Sequence, residues 1–270
     1  MTSAGLDSVA VIGCGLIGAS IAAACADGGV RVYARDIDAA NLAQVQSRAD
    51  VQGWNGEPVD LIVVAVPPAA VVAVIEEISA LAPQTPITDV ASAKSHIVAA
   101  IDSPWFVGGH PLAGSSHSGP AAADGGLFSG RPWVTCARQR ANTQARAAVS
   151  ALIGVCGAHE VQVSADEHDR AVAVTSHAVQ MTAAVLAVQW AQLPAPAHEL
   201  HGRAFDEVLR LAGSDPQLWQ QIASANAGAL SQALLSLADQ LTEIADALSV
   251  GDSSAVENLI ALANEATRTN

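Results

Sequence analysis

The sequence predicts an α/β protein in which a doubly wound parallel sheet is followed by an all-α segment. Short apolar runs alternate with helical stretches up to about residue 163, and this alternation is typical of parallel sheets covered by helices. From residue 164 onward the chain shows helical patterns and no convincing strand. We therefore predict two domains, formed by residues 1–163 and 164–270.

Local signals predict each element of the first domain. Continuous apolar runs predict strands, and glycine or proline indicates where the strands end. The predicted strands are 9–12, 30–34, 61–66, 87–90, 105–108 and 133–136, and the predicted helices among them are 17–26, 39–49 and 69–81.

The second domain begins with Ser164-Ala165-Asp166-Glu167, which has the form of a capping box at a helix start. Prolines and glycines then divide the chain into predicted helices at 166–192, 197–212, 215–224, 226–249 and 252–267. The stretch 171–193 has no charged residue, but its seven polar side chains favour a helix buried in a soluble protein or a homodimer over a membrane span.

Composition excludes several classes of protein. The chain has 270 residues, of which 51% are hydrophobic, and a net charge of −14. We expect no nucleic-acid binding, because that needs clustered Lys and Arg and the chain has only 12. The four cysteines form no CxxC pair, and the N-terminus lacks a secretion signal, so we expect a cytoplasmic protein.

Gly13-Cys14-Gly15-Leu16-Ile17-Gly18 is a GxGxxG motif directly after a predicted strand and before a predicted helix. The first glycine permits a tight turn, the second lets a pyrophosphate approach, and the third allows close helix packing. We therefore predict a Rossmann-type nucleotide site that includes Leu16 and Ile17. A glycine-rich turn in a fold that has lost its nucleotide is the alternative.

Asp36 follows Gly18 by 18 residues and ends the second predicted strand. A carboxylate at that place can accept hydrogen bonds from a ribose diol and repels a 2′-phosphate, which favours NAD over NADP. The neighbouring Arg35 argues in the other direction, because an arginine beside this position can accommodate the additional phosphate.

Several further motifs follow in order along nearly the whole chain. They are Gly13-x-Gly15-Leu16-Ile17-Gly18-Ala19-Ser20, Val66-Pro67-Pro68, Thr88-Asp89-Val90-Ala91-Ser92-Ala93-Lys94, Gly109-His110-Pro111-Leu112-Ala113-Gly114, His168-Asp169-Arg170-Ala171 and Ser214-Asp215-Pro216-x-x-Trp219. Together they resemble the prephenate dehydrogenase family, which includes arogenate and cyclohexadienyl dehydrogenases.

The resemblance implies the oxidative decarboxylation of prephenate to 4-hydroxyphenylpyruvate with NAD, on the route to tyrosine. Hydride leaves the ring carbon that bears the hydroxyl group, and the ring carboxylate leaves as CO2. Arogenate, which carries an ammonium group in place of the keto group, is the alternative substrate. A helix without charge over more than twenty residues needs more burial than one small all-α domain supplies, so we predict a homodimer.

His110 is the predicted general base for the substrate hydroxyl, because the ordinary pKa of histidine lies near neutrality and the flanking glycines predict a rigid turn. A turn histidine that bonds local backbone groups is the alternative. Ser92 matches the family serine that bonds the same hydroxyl, although it could instead cap a helix from Ser95. Val66 and Pro67 are assigned to the cofactor site.

Arg210 aligns with a family arginine that binds a substrate carboxylate through its planar guanidinium. The alternative is an ion pair along its own helix with Asp206 or Glu207. Ser115 is also assigned to the substrate, and it begins a Gly- and Ser-rich segment, 115–130, that could form a flap or an ordinary surface loop.

His177 matches a family histidine that follows serine, and Gln180 replaces a second histidine that some members carry three residues later. Both are assigned to substrate binding, and a buried structural role is the alternative. Because glutamine cannot become cationic, Gln180 leaves the choice between prephenate and arogenate open. His168 lies nine residues before His177, about two and a half helical turns away, so the two are not expected to share a face. No third ligand completes a metal site, and none is predicted.

Two other functions remain open at this point. A dehydrogenase of 3-hydroxy acids would use a lysine base, for which Lys94 is the sole lysine of the chain. Lys94 is otherwise a supporting charge in the site or a solvated surface residue. A non-catalytic NAD sensor would bind the nucleotide without turnover.

Overall fold

A computed structural model describes residues 5–114 and 118–268. Eight strands in these ranges form one sheet in the order β3-β2-β1-β4-β5-β6-β7-β8. The order changes direction between β1 and β4, which is where doubly wound sheets bind their ligands. The strands are β1 (Ser8–Ile12), β2 (Arg31–Arg35), β3 (Val51–Gly53), β4 (Leu61–Val64), β5 (Ile87–Asp89), β6 (Phe106–Pro111), β7 (Pro132–Cys136) and β8 (His159–Gln162).

The chain divides into two compact units, Met1–Asn226 and Ala227–Asn270. The first unit contains the sheet with α1 (Leu16–Asp27), α2 (Ala39–Arg48), α3 (Val71–Leu81), α4 (Ser95–Ala100), α5 (Thr143–Val155), α6 (Ala165–Val172), α7 (Ala178–Ala191), α8 (Arg203–Ala212) and α9 (Pro216–Ala225). The second unit contains α10 (Ala227–Ser249) and α11 (Ser254–Arg268).

The central strands bury both of their faces, because successive side chains of a strand point in opposite directions. On one face, Val9 and Val11 of β1 belong to a core that includes residues of α1 and α5. On the other face, Ala10 and Ile12 belong to a core with residues of α3 and α4. This confirms the predicted doubly wound sheet followed by helices.

The sheet differs from the all-parallel prediction at one edge. β7 runs antiparallel to β6, and β8 then runs parallel to β7. The described part of the connection between β6 and β7 contains only a short 3-10 turn, and an antiparallel neighbour needs no helical crossover. β3 and β8 were not predicted, because these two edge strands are short and lack a continuous apolar run.

The prediction that His110 lies in a turn is wrong. His110 belongs to β6, where it pairs with Val134 of β7. The glycines before it serve close packing, since a Cβ on Gly109 would lie 2.7 Å from the carbonyl oxygen of Asp89 and 2.8 Å from Oγ1 of Thr88. Glycine therefore lets β6 pack closely beside the end of β5, its parallel neighbour in the sheet.

A buried ion pair stabilises this contact between β5 and β6. The fully buried carboxylate of Asp89 forms an ion pair with the fully buried ammonium group of Lys94. The Asp89 carboxylate also accepts hydrogen bonds from the backbone N–H groups of Ala91 (3.0 Å) and Gly109 (3.2 Å). The idea that Lys94 is a solvated surface residue is therefore wrong: it neutralises the carboxylate that fixes the residue before His110.

The long uncharged segment, 171–193, contains the last two residues of α6, a π-helical turn (Ala173–His177) and α7. By length and composition alone, the continuous run Ala165–Ala191 could cross a membrane, with a mean hydropathy of 1.6 in its apolar window. A buried helix of a soluble protein meets the same criterion, and Gln180 and His177 within the run are buried among protein groups.

We expect Lys94→Met to lower the free energy of unfolding by about 3–5 kcal/mol, because it leaves the Asp89 carboxylate buried without its partner. The loss is measured by urea denaturation. The double variant Asp89→Asn/Lys94→Met removes both charges and is expected to regain much of the loss. Equal stability of Lys94→Met and the wild type would contradict this role for the pair.

Candidate active site

The glycine motif forms a tight loop between β1 and α1. Gly13 has a φ of 100°, and a Cβ there would overlap the carbonyl oxygen of Ala65, just after β4. A Cβ on Gly18 would overlap the carbonyl oxygen of Gly13, so both positions require glycine for internal packing. A Cβ on Gly15, in contrast, would meet nothing within 4 Å. The open space at Gly15, beside the free N–H groups that begin α1 at Leu16, suits a pyrophosphate.

The end of β2 closes one side of this loop. The Asp36 carboxylate accepts hydrogen bonds from the backbone N–H groups of Cys14 and of Asp38 (2.7 Å). The guanidinium of Arg35 forms an ion pair of 2.9 Å with the carboxylate of Glu77 on α3, and both side chains are about half exposed. Ile37 is fully exposed, which leaves an apolar surface beside Asp36.

Three cofactor-site residues predicted from sequence lie around the same loop. Ile17 is partly buried in the first turn of α1. Val66 is partly buried and Pro67 is exposed, directly after Ala65, whose carbonyl oxygen contacts the loop. The structure therefore brings the predicted residues of β1, β2 and β4 to one edge of the sheet.

A chain of three side chains connects β6 to α6. Nδ1 of His110 lies 2.8 Å from Nε2 of His168, and Nδ1 of His168 lies 2.8 Å from Oδ1 of Asp169. The two imidazole rings meet edge to face, with their centroids 5.1 Å apart. His168 and Asp169 are buried, and His110 is partly buried.

The Asp169 carboxylate determines where the protons of this chain lie. A carboxylate only accepts hydrogen bonds, so Nδ1 of His168 carries a proton and, in the neutral ring, Nε2 is an acceptor. Nδ1–H of His110 donates to that nitrogen, which leaves the lone pair of His110 Nε2 without a hydrogen-bond partner among the described residues. This assignment follows from the hydrogen-bond partners, and a free Nε2 lone pair is what a general base requires.

The surroundings keep His110 neutral. Burial, followed by His168, Lys94 and His177, lowers the pKa of His110 well below 6.5, while Asp169 has a smaller effect that raises it. The imidazole can therefore accept a proton at pH 7 and somewhat below. When it does, the Asp169 carboxylate, which favours the charged form, stabilises the new charge at the end of the two hydrogen bonds.

Asp169 also joins α6 to the start of α4 and to the residue that follows α9. Its carboxylate accepts hydrogen bonds from the backbone N–H groups of Lys94 (2.7 Å) and Ser95 (2.8 Å) at the start of α4, and its carbonyl oxygen accepts one from Nδ2 of Asn226 (2.8 Å). Burial raises the pKa of Asp169, but hydrogen bonds from His168, Ser95 and Lys94 prevail and lower it to about 2. Sequence analysis gave Asp169 no role, although it lies in a quoted motif, and no pattern indicated Asn226.

His168 and His177 contribute to one buried cluster, contrary to expectation. A regular α-helix would place them on opposite sides, but the π-helical turn Ala173–His177 winds with more residues per turn and changes the register. His177 is buried, and its ring meets the edge of Trp219 with the centroids 6.0 Å apart. Burial lowers the pKa of His177, with opposing effects from Asp169 and His168.

Gln180 is buried and connects α7 to α8. Its Nε2 donates a hydrogen bond of 2.7 Å to the carbonyl oxygen of Leu211. Ser214 Oγ donates to the same carbonyl oxygen. One N–H group of the Gln180 amide is thus occupied, and the part of the chain that the structure describes gives no hydrogen-bond partner to its second N–H or its carbonyl oxygen.

The other predicted site residues are less closely tied to the cluster. Ser92 lies in the loop between β5 and α4 and is not the N-cap of α4, and no hydrogen bond among the described residues joins it to His110. Arg210 is half exposed and binds Glu207 at 2.7 Å, one of the two partners considered from the sequence. Ser115 lies outside the described residues. In the described ranges, no group of three His, Cys, Asp or Glu residues could hold a metal ion.

Comparisons with known proteins identify the family. A family model described as the nucleotide-binding domain of prephenate dehydrogenase matches residues 21–162, and one described as its dimerization domain matches residues 164–264. This chain belongs to the prephenate dehydrogenase family. Two relatives are the NovF protein of Streptomyces niveus, 34% identical over 261 residues, and the prephenate dehydrogenase of Bacillus subtilis, 32% identical over 234 residues. The alignments cover 92% and 80% of this chain, and 71% and 63% of the relatives.

A solved structure shares the fold of the present chain. The prephenate dehydrogenase from A. aeolicus, crystallised in complex with hydroxyphenyl propionate and NAD+, superimposes with a TM-score of 0.88 over 100% of both chains. The sequence identity is 20%, so this similarity speaks for the fold.

We expect Gly15→Ala to weaken the binding of NAD, the predicted dinucleotide, at least about tenfold without lowering the melting temperature, because its Cβ enters only the open space above the loop. Gly18→Ala is the matched control, in which the Cβ overlaps Gly13 and the melting temperature falls. Isothermal titration and thermal denaturation measure the two effects. Unchanged NAD affinity in Gly15→Ala would show that the open space is not the dinucleotide site.

We expect His168→Asn to lower kcat at least about tenfold, because it breaks the connection between Asp169 and His110, and general base catalysis contributes about 10²–10⁴-fold. NAD affinity should stay unchanged. His96→Asn on α4 is the control, since His96 is also partly buried near Lys94 but does not belong to the chain. Equal kcat values for His168→Asn and His96→Asn would exclude the proposed connection.

Proposed function

We propose that this protein oxidises and decarboxylates prephenate to 4-hydroxyphenylpyruvate with NAD, in tyrosine biosynthesis. The observation that carries the proposal is the hydrogen-bonded chain His110–His168–Asp169, which leaves a neutral imidazole whose Nε2 lone pair has no partner in residues 5–114 and 118–268. Membership of the family and the name of the Bacillus subtilis relative support the reaction. The placement of His110 as a base also argues for turnover rather than for a non-catalytic NAD sensor.

Three features support NAD as the cofactor. The loop leaves open space at Gly15, and the Asp36 carboxylate lies where it can accept hydrogen bonds from a ribose diol and would repel a 2′-phosphate. The A. aeolicus structure with NAD+ supports the same choice for a protein of this fold.

His110 performs the acid–base chemistry in this proposal. Its Nε2 takes the proton of the substrate hydroxyl as the C–H bond on the same carbon releases hydride, and the C–O bond becomes a carbonyl. NAD, when bound, supplies the acceptor of the hydride. The bond to the ring carboxylate then breaks, CO2 leaves, and the electron pair makes the ring an aromatic phenolate. His110 returns its proton to the phenolate oxygen, so the reaction consumes and releases no net proton.

Substrate recognition is assigned to Arg210, His177, Gln180 and Ser115, and Ser92 is assigned to the reacting hydroxyl. The surface pair of Arg210 with Glu207 contributes only about 0–1 kcal/mol, so the guanidinium can exchange this partner for a substrate carboxylate. In a chain with a net charge of −14, a dianionic substrate requires such a local cation. Gln180 provides a neutral amide, which is compatible with prephenate or with arogenate.

We propose a cytoplasmic homodimer in which residues 1–163 bind the dinucleotide and residues 164–270 bind the substrate and the second copy. The family description of the second region as a dimerization domain supports this arrangement. The exposed apolar side chains of α7 support it too, since Val185 and Val188 are 57% and 62% exposed on an uncharged helix.

We expect prephenate, offered with NAD, to give rapid NADH formation, and arogenate to give much slower turnover. His110→Asn should remove most of the activity, by about 10²-fold or more, and leave NAD binding intact, because only proton transfer is lost. Absorbance of NADH measures turnover of each substrate and of the variant, and isothermal titration measures NAD binding. Faster turnover of arogenate would assign the chain to the arogenate dehydrogenases, and full activity of His110→Asn would refute the base.

A further inference from the structure

His177 has a buried partner that the catalytic chain does not use. Asn226, which follows α9, is 5% exposed, and His177 is 1% exposed. Nδ2 of Asn226 lies 2.8 Å from the carbonyl oxygen of Asp169 and 3.3 Å from Nδ1 of His177. The described residues offer Nε2 of His177 no hydrogen-bond partner.

The carbonyl oxygen of Asp169 determines the orientation of the Asn226 amide. A carbonyl oxygen can only accept, so the nitrogen of the amide must face it, and the side-chain oxygen of Asn226 must point elsewhere. The same nitrogen carries a second N–H group, and Nδ1 of His177 is within its reach. Nδ1 must therefore accept, which leaves the proton of the neutral ring on Nε2.

We propose that Asn226 is a positioning residue that holds His177 as the Nε2–H tautomer, so that His177 acts toward the substrate as a neutral hydrogen-bond donor. The inference rests on the proposed role of His177 in substrate binding. It identifies the matching substrate group as an acceptor, a carboxylate or keto oxygen, and not as an ammonium group.

The Nε2 atoms of His110 and His177 then have opposite hydrogen-bonding roles. The Asp169 carboxylate, through His168, leaves His110 with an acceptor at Nε2, whereas the Asp169 carbonyl, through Asn226, leaves His177 with a donor at Nε2. Only one of the two rings can take the hydroxyl proton. Burial also lowers the pKa of His177, which keeps it uncharged at pH 7.

Nitrogen-15 NMR of the histidine-labelled full-length protein tests the tautomer without any assay of activity. The His177 signals are assigned by their loss in His177→Asn. We expect Nδ1 to give an unprotonated, hydrogen-bonded signal and Nε2 to give a protonated one. Asn226→Asp supplies an acceptor instead of a donor, so the proton should appear on Nδ1. Asn142→Asp at the start of α5 is the matched control and should leave the His177 signals unchanged.

Asn226→Ala keeps the experiment decisive if Asn226→Asp does not fold. Without the amide, the Nδ1 signal of His177 should shift toward that of a nitrogen without a hydrogen bond. The same Nδ1 signal in the wild type and Asn226→Ala, or a protonated Nδ1 in the wild type, would overturn the proposal.

Kinetics separate this inference from the proposed function. Asn226→Asp should raise KM for prephenate at least about tenfold with a smaller change in kcat, because a donor to a charged group is lost. The effect should vanish in the His177→Asn background if Asn226 acts through His177. An unchanged KM in His177→Asn would reject the substrate role of His177, while the NMR signals would still decide the role of Asn226.

Discussion

The active site depends on one buried carboxylate, that of Asp169. It caps the start of α4 by accepting the N–H groups of Lys94 and Ser95, and it fixes the ring of His168. Removing it would expose unsatisfied N–H groups at a helix start and leave the imidazoles without a defined tautomer. A single group thus joins the packing of α6 against α4 to the protonation state of His110, the proposed base.

The sheet provides the complementary constraint. Asp89, neutralised by Lys94, binds the N–H group of Gly109 and thereby fixes β6 immediately before His110. A base on a strand paired to two neighbours has less freedom than one in a loop. The nucleotide loop opens at the end of β1, and His110 lies two strands beyond the neighbouring β4. The proposed hydride transfer takes place along this edge of the sheet.

The sequence was sufficient for the central strands, because their apolar runs and terminating glycines are local signals. It failed at β3 and β8, whose polar edge positions give no such signal, and it placed His110 in a turn because glycine usually marks one. The importance of Asp169 and Asn226 could not be found, since their partners lie 75 and 57 residues away along the chain. Such contacts exist only after the helices have packed against the sheet.

A crystal structure of the wild type with NAD and 4-hydroxyphenylpyruvate tests the central claim most directly. The account predicts that Nε2 of His110 lies within hydrogen-bond distance of the phenolic oxygen, about 2.6–3.2 Å, while Nδ1 still contacts His168. A His110 ring whose Nε2 points away from the phenolic oxygen, or whose Nδ1 has left His168, would contradict it.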